Sequence, residues 1–321
     1  MKRFRTIIGL TSLCLLPEPL NGFISGPLPT GSYPYPSTTT TLSAVTAYTQ
    51  QLEQRQQNQY FGDPHSSSRN TDIATKPFFW RDPVGASSND IIAHVQQQLF
   101  PTESLERVAE RVTIIDHQLP LITIDGFLKD SICEQVIAAA EATGDMKRST
   151  TGSTQNLSTS RTSSTTWLRP DNCPGPALDL LNSQASRLAD IPQENFESLQ
   201  VVKYDGNGQK FDVHTDHMDS FNDLDCFGRL ATCLVYLNSA SDGFFDDQFS
   251  GGSTFFPEFD AYVKPKRGRA VFWFNTIERP GWEGYAPGDL HANLRSRHAG
   301  TPVYNGSKYV CNLWMHPVSL R

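Results

Sequence analysis

Dense, periodic hydrophobic positions begin only about a third of the way along this chain. Residues 27–75 are rich in Pro, Ser, Thr and Gln, with the run Thr38 to Thr41 and a Gln-rich patch over Gln50–Gln59. Such a composition buries too little apolar surface to offset its ordering entropy. Residues 23–110 therefore read as a low-complexity stalk carrying short helices, one expected over Gln50–Gln59. Phe78, Phe79 and Trp80 form the first large apolar cluster. Asp90 to Phe100 is expected to form a helix that packs on the domain.

The folded domain is expected over residues 111–321. Leu121 to Leu128 reads as a strand running into a turn, followed by a helix with Asp130 at its N-cap. Ile132, Val136 and Ile137 give that helix its spacing through Glu141. Ser149 to Thr166 is Ser/Thr-rich and reads as a mobile loop. Leu178, Leu181 and Leu188 lie on one side of a second helix over Ala177 to Ala189. Beyond that the period changes. Leu199 to Tyr204, Phe211 to Asp216, Leu230 to Leu237, Ala270 to Phe274 and Lys308 to Trp314 are short, rich in β-branched or aromatic residues, and separated by Gly- and Asp-bearing turns. Helices first and strands afterwards predict an α+β chain, its core a double-stranded β-helix (jelly roll) with N-terminal supporting helices.

Charge narrows the function. A net charge of −7 and a pI near 5.6 argue against a nucleic-acid partner, which needs a basic face. No segment approaches the ~20 apolar residues of a spanning helix. Lys2, Arg3 and Arg5 precede an apolar stretch from Ile7 to Leu16 ended by Pro17 and Pro19, the shape of a signal peptide over residues 1–22. The expectation is entry into the secretory pathway, with a bipartite organelle address as a variant. In that compartment Cys133, Cys173, Cys226, Cys233 and Cys311 predict one or two disulfides, with at least one thiol left free or paired between chains. Asn156-Leu157-Ser158 and Asn305-Gly306-Ser307 are glycosylation sequons.

The chemistry concentrates in two places. On a strand His214 and Asp216 share a face while Val213 and Thr215 point away. Two imidazoles and one carboxylate are the facial ligand set of Fe(II), with the opposite positions left open. His298 is the expected third ligand. His291 is a competing third, and His217 and Asp219 follow closely enough to permit another register. Lys308, Val310, Asn312, Trp314 and His316 alternate on one strand and share a face. A Lys aimed into a barrel requires an anionic partner.

These residues occur within a longer ordered set: Tyr204…Gly208-Gln209, His214-Thr215-Asp216, Arg229-Leu230-Ala231-Thr232…Tyr236-Leu237-Asn238, Gly251-Gly252-Ser253-Thr254…Phe256-Pro257, and His298…Gly306…Lys308…Trp314. The set resembles the prolyl 4-hydroxylase family of 2-oxoglutarate/Fe(II) dioxygenases, particularly its compact plant and algal type, from about Ile122 to His316. The resemblance implies His214, Asp216 and His298 as iron ligands, and Lys308 paired with the distal carboxylate of 2-oxoglutarate. Tyr204 and Thr254 would donate hydrogen bonds to that carboxylate, and Arg229, Trp314 and His316 would line the substrate side. It further implies Fe(II), 2-oxoglutarate, O2 and L-ascorbate as cofactors. The implied reaction makes 4-hydroxyproline from a proline-containing protein or peptide, with release of succinate and CO2.

This chain departs from the family pattern in several places. The Tyr204–His214 interval is one residue longer, Phe211 stands where the family often has Tyr, and the segments Asn238–Ser250 and Glu278–His291 are extended. Inserts beside a site mouth are where substrate choice changes. Two other readings stay open at this level: the same chemistry on a lysyl side chain or small molecule, and a non-catalytic secreted binding module. Oligomeric state is not legible in the sequence.

Overall fold

A computed structural model of the chain describes residues 86–151, 156–157, 159–173, 175–217, 228–241, 249–278 and 290–320. The signal peptide, the stalk up to residue 85, Cys226, Asp219 and most of both inserts lie outside the described residues. So does the side chain of His291.

Among the described residues four α-helices come first or between early strands: α1 (Ser88–Leu99), α2 (Leu105–Ala109), α3 (Asp130–Ala142) and α4 (Ala177–Ala189). Ser87 caps α1 in a reciprocal capping box with Asp90, which satisfies two otherwise orphaned amide donors. The expected N-cap at Asp130 is displaced by one residue. Lys129 holds the cap without a side-chain bond, and Asp130 sits in the first turn, where its charge opposes the helix dipole. Ile91 and Val95 of α1 and Val108 of α2 are fully buried in the main core, so both helices belong to the packed body.

In chain order the strands are β1 (Val112–Asp116), β2 (Leu121–Ile124), β3 (Lys147–Arg148), β4 (Thr150–Thr151), β5 (Asn156–Leu157), β6 (Ser164–Leu168), β7 (Leu199–His214) and β8 (Ala231–Tyr236). They continue with β9 (Ser250–Gly251), β10 (Thr254–Phe256), β11 (Ala261–Val263), β12 (Ala270–Phe274), β13 (Thr276–Glu278), β14 (Leu290–Ala292) and β15 (His298–Met315). The main layer runs β1-β2-β12-β8-β15-β7-β6-β3, entirely antiparallel where paired.

Two expectations change here. The stretches at Leu199 and Phe211 are one strand, β7, which follows β15 from Asn312↔Gln200 to His298↔His214. The ribbon carries four register shifts, the kind of irregularity at which a strand pair can bend. One end of β15 pairs with β8 and the other with β10 and β9, so the ribbon passes from one layer into the second. This is the double-stranded β-helix. The supposed loop Ser149–Thr166 contributes β4, β5 and much of β6, and β6 joins the main layer against β7.

Parity along each central strand separates two cores. Cys233, Val235, Phe272, Phe274, Cys311, Leu313 and Met315 face the helices. Leu234, Tyr236, Val271, Trp273 and Val310 face the barrel interior. Strands covered on both faces read as continuous apolar runs rather than alternation, which is why β8 and β12 are buried at every position. Each fully buried Leu, Ile or Phe adds roughly 1.5–3 kcal/mol.

The disulfide expectation is not met among the described residues: Cys133, Cys173, Cys233 and Cys311 are free, buried thiols. Burial raises Cys233 to about 12 and Cys133 to about 11. They act as small core hydrophobes. No helix among the described residues is long and apolar enough to cross a membrane.

Candidate active site

The interior layer converges on His214, Asp216 and His298. The last residue of β7 and the first of β15 are directly paired, which sets the two imidazoles ring to ring with centroids 4.3 Å apart. Asp216 lies two residues beyond the end of β7, in a bend. Strand alternation therefore does not carry it to the site; the bend does. Its Oδ1 is 3.6 Å from His214 Nε2 and 3.8 Å from His298 Nε2.

Both rings have their tautomer set by the backbone. His214 Nδ1 is 2.8 Å from the Asp212 carbonyl, and His298 Nδ1 is 3.0 Å from that of Ser296. A carbonyl only accepts, so each Nδ1 carries the proton and each Nε2 turns a lone pair towards the site. Burial, aided by the neighbouring His214, lowers His298 to about 4, which keeps it neutral. Burial works to raise the Asp216 carboxyl, but with the imidazoles in their protonated form the attraction of His298, His214 and Arg229 outweighs it and holds the carboxyl well below the ordinary carboxylate range.

The donor set fits a single ion. All three ligand atoms lie within 4.8 Å of one another. Bonds of about 2.1 Å span at most ~4.2 Å, so a small inward rotation closes the set. Two N donors and one carboxylate O on one side match the facial arrangement of non-haem iron.

Deeper in the barrel stands Lys308, 2% exposed. Among the described residues no carboxylate pairs with it. Its Nζ lies 4.9 Å from the Tyr204 ring centroid and 5.4 Å from that of Tyr236. Burial pushes this ammonium down from 10.5 to about 7. Gly252, at φ +69°, makes room for the side chain: a Cβ there would sit 2.9 Å from the Lys308 stem. Thr254 Oγ1 is 2.6 Å from the Tyr236 hydroxyl, which itself donates to the Val263 carbonyl at 2.9 Å. Tyr236 has one proton, so Thr254 donates to it. Thr254 is free to donate elsewhere only when Tyr236 redirects its proton to Thr254.

The His-Asp-His set and the lysine share one pocket, lined also by Arg161, Gln200, Tyr204, Phe211, Leu234, Thr254, Asn312 and Trp314. Phe211 stacks on His214 with centroids 3.5 Å apart and 19° between planes.

Of the three expected substrate-side residues, Trp314 lines this pocket. Its Nε1 donates to Asp216 Oδ2 at 3.0 Å. Arg229 lies 3.4 Å beneath the Trp314 ring and grips Glu197 with two bonds of 2.5 and 2.9 Å. His316, fully buried, bonds the same carboxylate at 2.9 Å. Arg229 and His316 thus sit behind the pocket wall. Burial works to raise Glu197, but His316 and Arg229 outweigh it and hold the carboxyl low.

Sequence reasoning missed Glu197, Gln200 and Arg161. Arg161 lines the pocket, and its hydrogen-bond acceptors among the described residues are neutral oxygens, on Ser163, Thr165 and Gln200. The signal available for it was a lone Arg shortly before Trp167 in an otherwise Ser/Thr-rich stretch.

A double-stranded β-helix with two His and one Asp that could hold one metal ion, and a Lys in the same pocket that no carboxylate pairs with among the described residues, is an arrangement suited to a metal-dependent oxygenase. Comparison with known proteins agrees. Residues 199–316 match the model of the 2OG-Fe(II) oxygenase superfamily. Prolyl 4-hydroxylase 5 of Arabidopsis thaliana is 30% identical over 252 residues, taking in 72% of this chain and 80% of that protein. The chain belongs to the prolyl 4-hydroxylase family of these oxygenases. Prolyl 4-hydroxylase subunit alpha-1 of Gallus gallus is 34% identical over 161 residues, covering 49% of this chain but only 27% of that subunit. The viral collagen prolyl hydroxylase of Paramecium Bursaria Chlorella virus-1 is 29% identical, with a TM-score of 0.48 over 62% of this chain and 96% of that one.

Proposed function

We propose that this protein hydroxylates peptidyl proline to 4-hydroxyproline, using Fe(II), 2-oxoglutarate and O2. One oxygen atom enters the proline C–H bond and the other enters succinate, while the 2-oxoglutarate carboxyl next to the keto group leaves as CO2. The bound iron supplies the activation of O2; the side chains bind, orient and exclude water.

The observation that carries the reading is Lys308, a buried amine with no carboxylate beside it among the described residues, in the same pocket as a complete His-Asp-His set. A dicarboxylate would satisfy both: its distal carboxylate would take Lys308, and its other end would bind the ion that His214, Asp216 and His298 would hold. Charge-assisted bonds of this kind are about twice as strong as neutral ones. Tyr204, and Thr254 once Tyr236 turns its proton to it, would donate to the same carboxylate. Leu234, Val310 and Phe211 line the pocket around it and exclude water.

On the open side, Trp314 would form the wall against which the substrate peptide lies, with Arg229 and His316 holding it from behind through Glu197. Arg161 would donate to a peptide carbonyl. L-ascorbate would serve as the reductant that restores Fe(II) after turnover without substrate.

The test is succinate formation by the full chain with Fe(II), 2-oxoglutarate and ascorbate, with and without a proline-rich peptide. Peptide-stimulated succinate, with one oxygen atom gained on proline, is expected. Turnover that the peptide does not stimulate rejects the substrate, and no succinate from folded protein rejects the oxygenase.

A further inference from the structure

We infer that Asn275 is a positioning residue of the metal centre, which acts through Thr232 to fix which oxygen of Asp216 faces the ion. This inference rests on the reading of His214, Asp216 and His298 as ligands.

Asn275 ends the β12 region on the interior side and is fully buried. A carboxamide in such a place is costly unless bonded, and both ends of this one are engaged. Trp273 Nε1 is 2.8 Å from Asn275 Oδ1. An indole N–H can only donate, so Oδ1 accepts and the amide orientation follows. Asn275 Nδ2 is then the atom 2.8 Å from Thr232 Oγ1. An amide N–H also can only donate, so the Thr232 hydroxyl accepts there. Its single proton goes to Asp216 Oδ2, 2.8 Å away.

Every proton along this chain is therefore assigned by chemistry. Trp314 Nε1 adds a second donor to Oδ2 at 3.0 Å. With Oδ2 held by two donors, Oδ1 is the oxygen that looks at His214 and His298 Nε2, at 3.6 and 3.8 Å. The other end of the chain reaches the centre too: the Trp273 ring meets His298 edge-on, with centroids 4.7 Å apart and 62° between planes. The buried hydrogen bonds thus brace Asp216, and the ring contact of Trp273 braces His298. Outer partners of this kind typically contribute 10–100-fold to metal affinity.

The test is an anaerobic titration of the full chain with Co(II), followed by its visible absorption, with the melting temperature of the metal-free protein recorded alongside. Asn275→Leu is expected to weaken Co(II) binding roughly 10–100-fold. Thr232→Val should do the same, whereas Thr232→Ser, which keeps the hydroxyl, should stay within about threefold of the parent. Because Asn275 acts through Thr232, adding Asn275→Leu to Thr232→Val should cost less than about threefold more. Equal losses from Asn275→Leu in both backgrounds would mean an independent structural role and overturn the inference. So would a folded Asn275→Leu protein with parental Co(II) affinity. If Asn275→Leu does not fold, the Thr232 pair decides: a Ser variant as weak as Val overturns the relay. A parent protein that binds no Co(II) removes the ligand reading itself and the inference with it.

Discussion

Replacing Lys308 with Met should make the metal-free protein more stable and the cosubstrate complex weaker. The side chain is 2% exposed, and burial lowers its ammonium from 10.5 to about 7. At about 1.36 kcal/mol per pKa unit, the empty site bears a cost on the order of 5 kcal/mol at or below pH 7. Met fills nearly the same volume without a charge. Between about pH 7 and 10.5 the unfolded chain binds a proton that the folded chain has released, so parental stability rises with pH across that window. The advantage of Lys308→Met should accordingly be largest at pH 6–7 and shrink as pH is raised towards 10.

Binding should move the other way. Removing one partner of a buried charge pair costs roughly 2–5 kcal/mol, or about 30-fold to several-thousand-fold in affinity for 2-oxoglutarate. Parental binding at pH 8 should also take up a proton, because the arriving carboxylate returns Lys308 to its charged form. Thermal melts from pH 6 to 9, with anaerobic calorimetry in two buffers of different ionisation enthalpy, measure all three effects. A Met variant that melts lower at pH 7 and binds 2-oxoglutarate within threefold of the parent would refute the reasoning.

Three further perturbations test other parts of the site. Asp216→Ala should abolish succinate formation while leaving the fold intact; full activity in that variant would remove Asp216 from the ligand set. Glu197→Gln leaves Arg229 and His316 without their shared carboxylate, and breaking such a buried pair costs roughly 3–5 kcal/mol; a denaturation midpoint close to the parent would show that the pair is not structurally important. Gly252→Ala adds a methyl 2.9 Å from the Lys308 stem at a φ of +69°, so it should both lower the melting temperature and raise the 2-oxoglutarate requirement. A change in stability alone, with an unaltered requirement, would mean that Lys308 does not depend on that gap.

The parts legible in the sequence were those governed by short-range periodicity. The helix at Ala177–Ala189 and the strand at Ala270–Phe274 have the bounds expected from their residue patterns, because their apolar spacing and their burial agree. The bent ribbon of β7 and β15 was not legible. Its polar middle, Asp205 to Lys210, resembles a turn, and its register shifts appear only once β15 is laid against it. The Ser/Thr-rich stretch before Trp167 misled for a related reason: Thr165, Thr166 and Trp167 suit a strand, but the polar run reads as a loop until β6 is laid against β7.

The site divides along the same line. His214, Asp216, His298 and Lys308 could be named because each requires a partner of definite chemistry. The residues that hold them in place carry no such demand one at a time. Glu197 and Arg229 are 32 positions apart, Thr232 and Asn275 are 43, and Asp216 and Trp314 are 98. Each pair becomes meaningful only when folding closes the distance. Even so, the buried polar groups in an otherwise apolar run point to where such closure occurs. Thr232 lies among Ala231, Cys233 and Leu234, and Asn275 follows Phe272, Trp273 and Phe274. In a strand covered on both faces, a polar side chain must find a partner or destabilise the fold. Here the partner found is Asp216, which links the stability of the barrel core directly to the geometry of the His-Asp-His set.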